Sequence, residues 1–291
     1  MEQFPLGSFS VGRAGFGAMQ LPGPGVFGPP KDRDQALTVL RRAIELGVNH
    51  IDTAQFYGPG VANDLIRDAL HPYPASLALI TKVGGRRDEA GAWIPAQEPD
   101  ELRASLEENL GTLGVDKLAA ANLRVFDSDG NPNQPARVDR ELFGRQLTAM
   151  IQARDEGLIA GIGLSSIVVE HLNIALERTE IVCVQNAYNL ADRTSQAVLD
   201  ACIAYDIAFV PFFPLGSAFA PDNPVLGNPV IRRAAVDQDR TPAQIALAWT
   251  LAIAPNVLLI PGTSSVQHLE ENMAVADIEL DDDTKRQLDA G

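Results

Sequence analysis

The sequence predicts an α/β protein built as a (β/α)8 TIM barrel, and three observations predict it. Short apolar runs alternate with helical patterns along the whole chain at intervals of roughly 20 to 40 residues, the layout of βαβ units. Eight such runs can be counted, at residues 14–19, 49–53, 78–83, 118–123, 160–165, 182–186, 208–213 and 257–261, with a helical segment in nearly every interval. Polar and ionisable residues stand at the C-terminal ends of several runs, where a parallel α/β protein places its chemistry. A doubly wound sheet is the competing layout. It lacks support, because no G-x-G-x-x-G opens a first helix.

The elements follow in order. Leu6 to Val11, with Gly7 and Ser8 between apolar residues, reads as a small N-terminal β-hairpin. From residue 34 to 46 apolar residues recur at 36, 37, 40, 43 and 44 with charges between them, and Gly47 stands where a helix stop is expected. That helix feeds the strand of His50-Ile51-Asp52-Thr53-Ala54-Gln55-Phe56-Tyr57-Gly58, which carries a carboxylate at its end and a phenol on the loop beyond. Pro99-Asp100-Glu101 begins another helix, with Leu102, Leu106, Leu110 and Leu113 at helical spacing and Gly114 as its stop. Thr241-Pro242 is an N-cap followed by proline at the first helical position, leading into Ile245, Leu247, Ala248, Trp249 and Leu251. A further helix is expected at the C-terminus. Residues 21–30, 84–97 and 127–137 fit neither period. Each follows a strand and is rich in Gly, Pro or charge, so each is either an active-site loop or a plain surface connection.

Length and composition bound the function. A chain of 291 residues with 46% hydrophobic content has room for one large barrel or two small domains, and no linker or low-complexity run divides it, so residues 1–291 are read as a single domain. The formal net charge of −15 argues against nucleic acid or an anionic membrane as partner. Neither a secretory signal nor a run of ~18 apolar residues is present, and a cytoplasmic protein, monomeric or a weak homo-oligomer, is expected. Cys183 and Cys202 have no metal-ligand spacing and read as buried reduced thiols. A metal-dependent hydrolase or isomerase needs clustered ligands at strand ends, and of four histidines only His50, beside Asp52, is so placed. No metal is expected.

The strand ending in Asp52, the loop carrying Tyr57 and Lys82 in Leu79-Ile80-Thr81-Lys82-Val83-Gly84 together resemble the aldo-keto reductase signature, whose tetrad is Asp, Tyr, Lys and His. The resemblance implies reduction of an aldehyde or ketone, which needs a hydride donor, a proton donor near the carbonyl oxygen, and a group that stabilises charge developing there. Tyr57 is then the acid, Lys82 the ammonium that makes a phenol acidic enough, and Asp52 the carboxylate that holds the ammonium. Singly, each has an ordinary explanation, as strand-end cap, core aromatic and snorkelling lysine. Their arrival on neighbouring strand ends favours a shared role. Where the family commonly has histidine, Asn122-Leu123-Arg124 places Arg124. Asn122 and Arg124 point the same way along a strand, so one enters the barrel mouth only if both do. Arginine stays charged and cannot shuttle a proton, but it can polarise a carbonyl or bind a substrate oxygen; the alternative is a surface pairing with Asp127 or Asp129.

The later strand ends resemble the family's coenzyme track. Gly17 and Met19 belong to it on the first strand. Gly163-Leu164-Ser165-Ser166 is similar to Gly-Leu-Ser-Asn, and Val184-Gln185-Asn186-Ala187-Tyr188-Asn189 to Val-Gln-x-x-Tyr-Asn/Ser. By that likeness Ser165, Ser166 and Gln185 meet the nicotinamide carboxamide, and Asp52 lies at the same ring. Pro211-Phe212-Phe213-Pro214-Leu215-Gly216-Ser217 resembles Tyr-Ser-Pro-Leu-Gly. Phe212 there stacks on the ring, Pro214 belongs to the same turn, and the amides of Leu215, Gly216 and Ser217 face the pyrophosphate. Gly262, Thr263 and Ser264, with His268, Glu271 and Asn272 on the following helix, correspond to the adenosine end. Ser166 replaces an asparagine, Gly262 a frequent lysine and His268 an arginine that often contacts the 2′-phosphate. The cofactor implied is NADPH, with NADH as the alternative.

Within the family, the run from Gly15 to Pro29, the Asn122-Leu123-Arg124 strand end and Pro211 to Gly216 resemble the bacterial pyridoxal reductase (pyridoxine 4-dehydrogenase) group. That implies a vitamin B6 aldehyde as the small-molecule carbonyl substrate, with Phe27, Trp93 and Phe126 as ring-stacking walls and Tyr57 and Arg124 contacting its oxygens. The rival is a coenzyme-binding regulatory or sensing protein with little turnover, motivated by the missing histidine.

Overall fold

A computed structural model describes residues 2–126, 137–216 and 223–290. The chain opens with an antiparallel hairpin, β1 (Gln3–Leu6) and β2 (Phe9–Gly12), turned at Gly7 with φ of +58°. Parallel strands follow as β3 (Phe16–Gly17), β4 (His50–Asp52) and β5 (Ala78–Val83). After a second hairpin, β6 (Gly85–Arg87) with β7 (Trp93–Pro95), come β8 (Ala120–Arg124), β9 (Ile162–Ser165), β10 (Cys183–Gln185) and β11 (Ala208–Phe209). The parallel strands join side by side in chain order from β3 to β11. Residues 257–259 close the ring: Leu258 N donates to Phe209 O at 2.9 Å, and Leu259 N donates to Arg13 O at 2.8 Å. The barrel expected from eight apolar runs is thus the fold.

Helices pack outside the strands: α1 (Arg33–Glu45), α2 (Val61–Leu70), α3 (Pro99–Leu113), α4 (Arg140–Asp155), α5 (Val169–Leu176) and α6 (Gln196–Ala204). Then come α7 (Pro224–Gly227), α8 (Pro229–Asp237), α9 (Pro242–Ala252), α10 (Val266–Met273) and the C-terminal α11 (Asp282–Asp289). The stop of α3 and the start of α9 are the ones the residues foretell. Asp32 caps α1 by accepting from Gln35 N at 2.9 Å, Gly114 ends α3 in the left-handed region, and Thr241 forms a reciprocal capping box with Gln244 on α9.

Alternation along the strands sorts their side chains between two cores. Ile51, Leu79, Val83, Ala121, Leu123, Ile162, Leu164, Val184 and Phe209 face the helices. Ala78, Ile80, Ala120, Cys183, Ala208 and Leu258 face inward, where they meet Phe4, Leu6 and Val11 of the N-terminal hairpin, which plugs the floor. The same period carries Asp52, Lys82, Asn122, Arg124, Ser165 and Gln185 to the inward face nearer the C-terminal mouth, all of them buried. Cys183 and Cys202 are free and buried, as expected, with burial pushing both thiols up to about 12.

Four details differ from expectation. Residues 257–261 form no ladder, because Val257 bridges to Phe209 and Leu259 to Ala14, one residue to each neighbour. The run at 208–213 is regular only to Phe209, since Pro211 lacks the N–H a ladder needs. Residues 84–97 are an ordered hairpin, with Arg86 opposite Ile94 and Arg87 opposite Trp93. Within 21–30 a short 3₁₀ turn, Pro24–Val26, brings Val26 to φ of +60°, an uncommon conformation for a β-branched residue. The loop expected at 127–137 falls almost wholly outside the described residues, as do Ser217 and the surface partners Asp127 and Asp129.

Candidate active site

At the C-terminal mouth of the barrel lies a cleft of about 670 Å³ lined by Asp52, Tyr57, Lys82 and Arg124. Each arrives there by strand geometry. Asp52 ends β4, Lys82 lies one residue from the end of β5, and Arg124 ends β8, so three adjacent staves deliver three charges to one rim. Tyr57 sits on the loop after β4, which turns tightly through the bond from its own N–H to Ala54 O at 3.0 Å.

Lys82 Nζ is ion-paired with Asp52 Oδ2 and also donates to Thr53 O at 3.3 Å. Gln185 Nε2 donates to the other carboxylate oxygen, Oδ1, at 2.7 Å, so both oxygens of Asp52 are engaged. The ammonium lies 5.0 Å from the centre of the Tyr57 ring. Burial would lower the pKa of Lys82, but the charge of Asp52 and the phenol of Tyr57 outweigh it and hold the value above the ordinary lysine range. Lys82 therefore stays an ammonium at neutral pH. Arg124 is pulled down by burial, an effect the nearby Tyr57 and Asp52 partly offset, and as a guanidinium it remains charged. Its guanidinium lies 5.3 Å from the Phe212 ring and 5.9 Å from the Phe126 ring.

Of the residues assigned to the coenzyme track, Gly17, Met19, Gln185, Phe212, Pro214, Leu215, Gly216, Gly262, Thr263 and Ser264 line this cleft. Ser165 and Ser166 are buried beneath it, and Ser166 holds φ of +58°, a left-handed conformation that asparagine tolerates better than serine. A Cβ on Gly17 would stand 2.4 Å from Ile260 O, and one on Gly262 would stand 2.4 Å from Gly17 O, so bare backbone forms that wall. His268, Glu271 and Asn272 are not among the residues that line this cleft. They sit on α10 beyond Ser265, which caps that helix by accepting from His268 N at 3.3 Å, and the Glu271 carboxylate already accepts from Gln267 at 2.9 Å.

Two orphaned groups test whether a nicotinamide fits. The hydroxyl of Ser165 and Oε1 of Gln185 are buried without hydrogen-bond partners. A carboxamide supplies the complement, an acceptor for the one and a donor for the other. The residues present fit the group.

Among the expected aromatic walls, only Trp93 lines the cleft, its ring 6.5 Å from Tyr57 and 5.2 Å from Phe56, both edge to face. Phe126 touches the site through Arg124. Phe27 stands further out, its ring 5.5 Å from the Arg87 guanidinium, which lies 4.1 Å from Trp93. The sequence does not single out Gln20 and Gly25, which line the cleft, or Arg87, which stands behind Trp93. Arg87 Nη2 donates to Gly25 O at 3.0 Å, clasping the 84–97 hairpin to the loop across the mouth. Among the described residues no cluster of ligands could hold a metal, and no helix is long and apolar enough to cross a membrane.

A parallel barrel with a buried ammonium–carboxylate pair, a phenol and two unpaired polar atoms that a carboxamide would satisfy has the parts of a nicotinamide-dependent carbonyl reductase. The chain belongs to the Aldo/keto reductase family, whose model matches residues 13–290, and is an NAD(P)H-dependent oxidoreductase acting on aldehydes or ketones. It is 48% identical over 286 residues to the pyridoxine 4-dehydrogenase of Escherichia coli, covering 98% of this chain and 96% of that one. The solved structure of a thermostable aldo-keto reductase with the inhibitor epalrestat superposes with a TM-score of 0.80 at 28% identity, over 100% of this chain and 99% of its own. An aldo/keto reductase from Klebsiella pneumoniae, solved with NADP and acetate, gives 0.79 at 25% identity, over 99% and 94%. These relatives support the enzyme and offer nothing for the regulatory alternative.

Proposed function

We propose that this enzyme reduces small aldehydes, pyridoxal among them, to the corresponding alcohols with NADPH in the cytoplasm, and that Tyr57 gives the proton. The observation that carries the reading is the convergence of Tyr57, Lys82, Asp52 and Arg124 on one cleft. When bound, the coenzyme supplies the hydride. Ser165 and Gln185 would hold its carboxamide through their unpaired polar atoms, Phe212 would cover one face of the ring, and Leu215 to Gly216 and Thr263 to Ser264, which line the same cleft, would take the phosphates. Lys82, fixed by Asp52, stabilises the phenolate left on Tyr57 when its proton goes to the carbonyl oxygen. Arg124 presents a fixed positive charge in place of a proton shuttle and draws electron density toward that oxygen. Trp93 gives an aromatic aldehyde a wall to pack against. The 48% identity to a pyridoxine 4-dehydrogenase supports a vitamin B6 aldehyde as substrate.

Following NADPH absorbance with pyridoxal and with a plain aromatic aldehyde, in wild type and Tyr57→Phe, tests the reading. Turnover in the wild type and a loss of roughly 100-fold or more in the variant are expected. Tight coenzyme binding without turnover of either aldehyde would overturn it. A competition titration of NADPH against NADH checks the coenzyme.

A further inference from the structure

Behind the strands that carry Asp52 and Lys82, on their helix-facing side, lies a cluster of buried polar side chains. Thr53 and Thr81 each adjoin a charged residue in the chain and by alternation point away from the barrel interior. Thr53 Oγ1 donates to Asn63 Oδ1 at 2.8 Å, and Thr81 Oγ1 donates to Asn109 Oδ1 at 2.6 Å. The two amides meet, with Asn63 Nδ2 donating to Asn109 Oδ1 at 3.0 Å. Gln55, on the loop to Tyr57, joins through its Oε1, 3.0 Å from both Asn63 Nδ2 and Thr112 Oγ1. Asn63, Asn109, Thr53 and Thr81 are wholly buried.

Asparagine is a poor choice for the interior of α3 and for a buried place in the first turn of α2, and an apolar residue would fill either at lower desolvation cost. A satisfied buried network instead fixes one arrangement of the parts it joins. The parts joined here are the end of β4, the end of β5 and the loop bearing the phenol. Thr53 has a second tie to the chemistry, since its carbonyl accepts from Lys82 Nζ.

We propose that Asn63 and Asn109 are positioning residues for the reduction: by gripping Thr53, Thr81 and Gln55 from outside the barrel, they hold Lys82, Asp52 and Tyr57 at their working separation. This rests on the assignment of those three as the reacting centre. The substitution Thr53→Val removes one hydroxyl at equal volume, Thr53→Ser restores it, and Asn63→Leu removes the hub. Melting temperature, kcat and the KM values for NADPH and aldehyde are measured for each, at a temperature where all are folded, with Tyr57→Phe run beside them. We expect kcat in Thr53→Val to fall roughly tenfold, with KM for NADPH unchanged and Thr53→Ser close to wild type. Asn63→Leu shows a larger loss of the same kind; should it fail to fold, Thr53→Val decides alone. A Thr53→Val enzyme with lowered melting temperature and wild-type kcat makes the network a structural brace only and overturns the proposal. Wild-type turnover by Tyr57→Phe removes the catalytic assignment itself, a failure visible separately from that of the network.

Discussion

Acid is the perturbation that the interior of this barrel is least equipped to absorb. His50 is buried on β4, its ring against the backbone of Gly15, where a Cβ would stand 2.2 Å from Nε2. Neither ring nitrogen makes a hydrogen bond of ordinary geometry, and burial lowers the pKa to about 4 from 6.5, the nearby Leu259 backbone offsetting only part. In the range between those values the unfolded chain takes up a proton that the folded chain refuses. Stability is therefore complete above 6.5 and is lost as pH falls toward 4. At about 1.4 kcal/mol per pH unit the loss from this one imidazole is about 3 kcal/mol. His171, lowered to about 4 by burial that the charge of Glu170 offsets only in part, adds a similar amount in the same window. Together they remove a large fraction of the ~5–15 kcal/mol typical of a folded protein. Denaturant titration of wild type and His50→Leu between about pH 7.5 and about pH 4 measures the effect. The stability difference between the two should shift by about 3 kcal/mol in favour of the variant as pH falls. A difference constant over that range refutes the reasoning, as does a His50 imidazole resonance that titrates near 6.5. With four histidines in the chain, that resonance can be assigned by substitution.

Three further outcomes follow from the site. Lys82→Met leaves the Asp52 carboxylate buried with Gln185 as its remaining polar partner and should cost about 3–5 kcal/mol, seen as a melting temperature lower by roughly 10 °C; adding Asp52→Asn should recover part of it. Arg124→Lys keeps the charge but loses the planar fork, and should lower kcat/KM for pyridoxal about tenfold, with Arg124→Leu lower still; full activity in the leucine variant would remove the electrophilic role. Arg87→Leu frees Trp93 from a contact worth about 1 kcal/mol and should raise KM for aromatic aldehydes roughly fivefold while leaving that for a short aliphatic aldehyde unchanged, as steady-state kinetics will show.

What the sequence discloses and what it conceals divide along a physical line. The strand ends are legible because period-two alternation is a local rule: once Ile51 and Leu123 face the helices, Asp52 and Arg124 must face the barrel. The 84–97 hairpin is not, because Arg86, Arg87, Asp88 and Glu89 mask the alternation of a pairing held by a turn at Gly91 and by cross-loop contacts. Arg87 looks like a solvated charge until Trp93 and Gly25, 62 residues away in sequence, are brought against it. A matching motif assigns His268, Glu271 and Asn272 to the adenosine end, and they stand on α10, which follows directly from the Thr263 and Ser264 wall of the cleft.

Asn63 and Asn109 are concealed in the sequence for the same reason as Arg87. Each breaks the apolar period of its helix, and alone such a residue reads as a flaw in the amphipathic pattern. The break acquires meaning only when both helices pack behind the same two strands, so that hydroxyls at 53 and 81 find the amides and exclude water together. A reaction centre made of charges needs its neighbours held to fractions of an ångström, and apolar packing alone tolerates small slips that directed hydrogen bonds do not. The polar layer behind β4 and β5 is where this barrel accepts a desolvation cost in return for register, and it lies on the far side of the strands from the three groups whose spacing matters most.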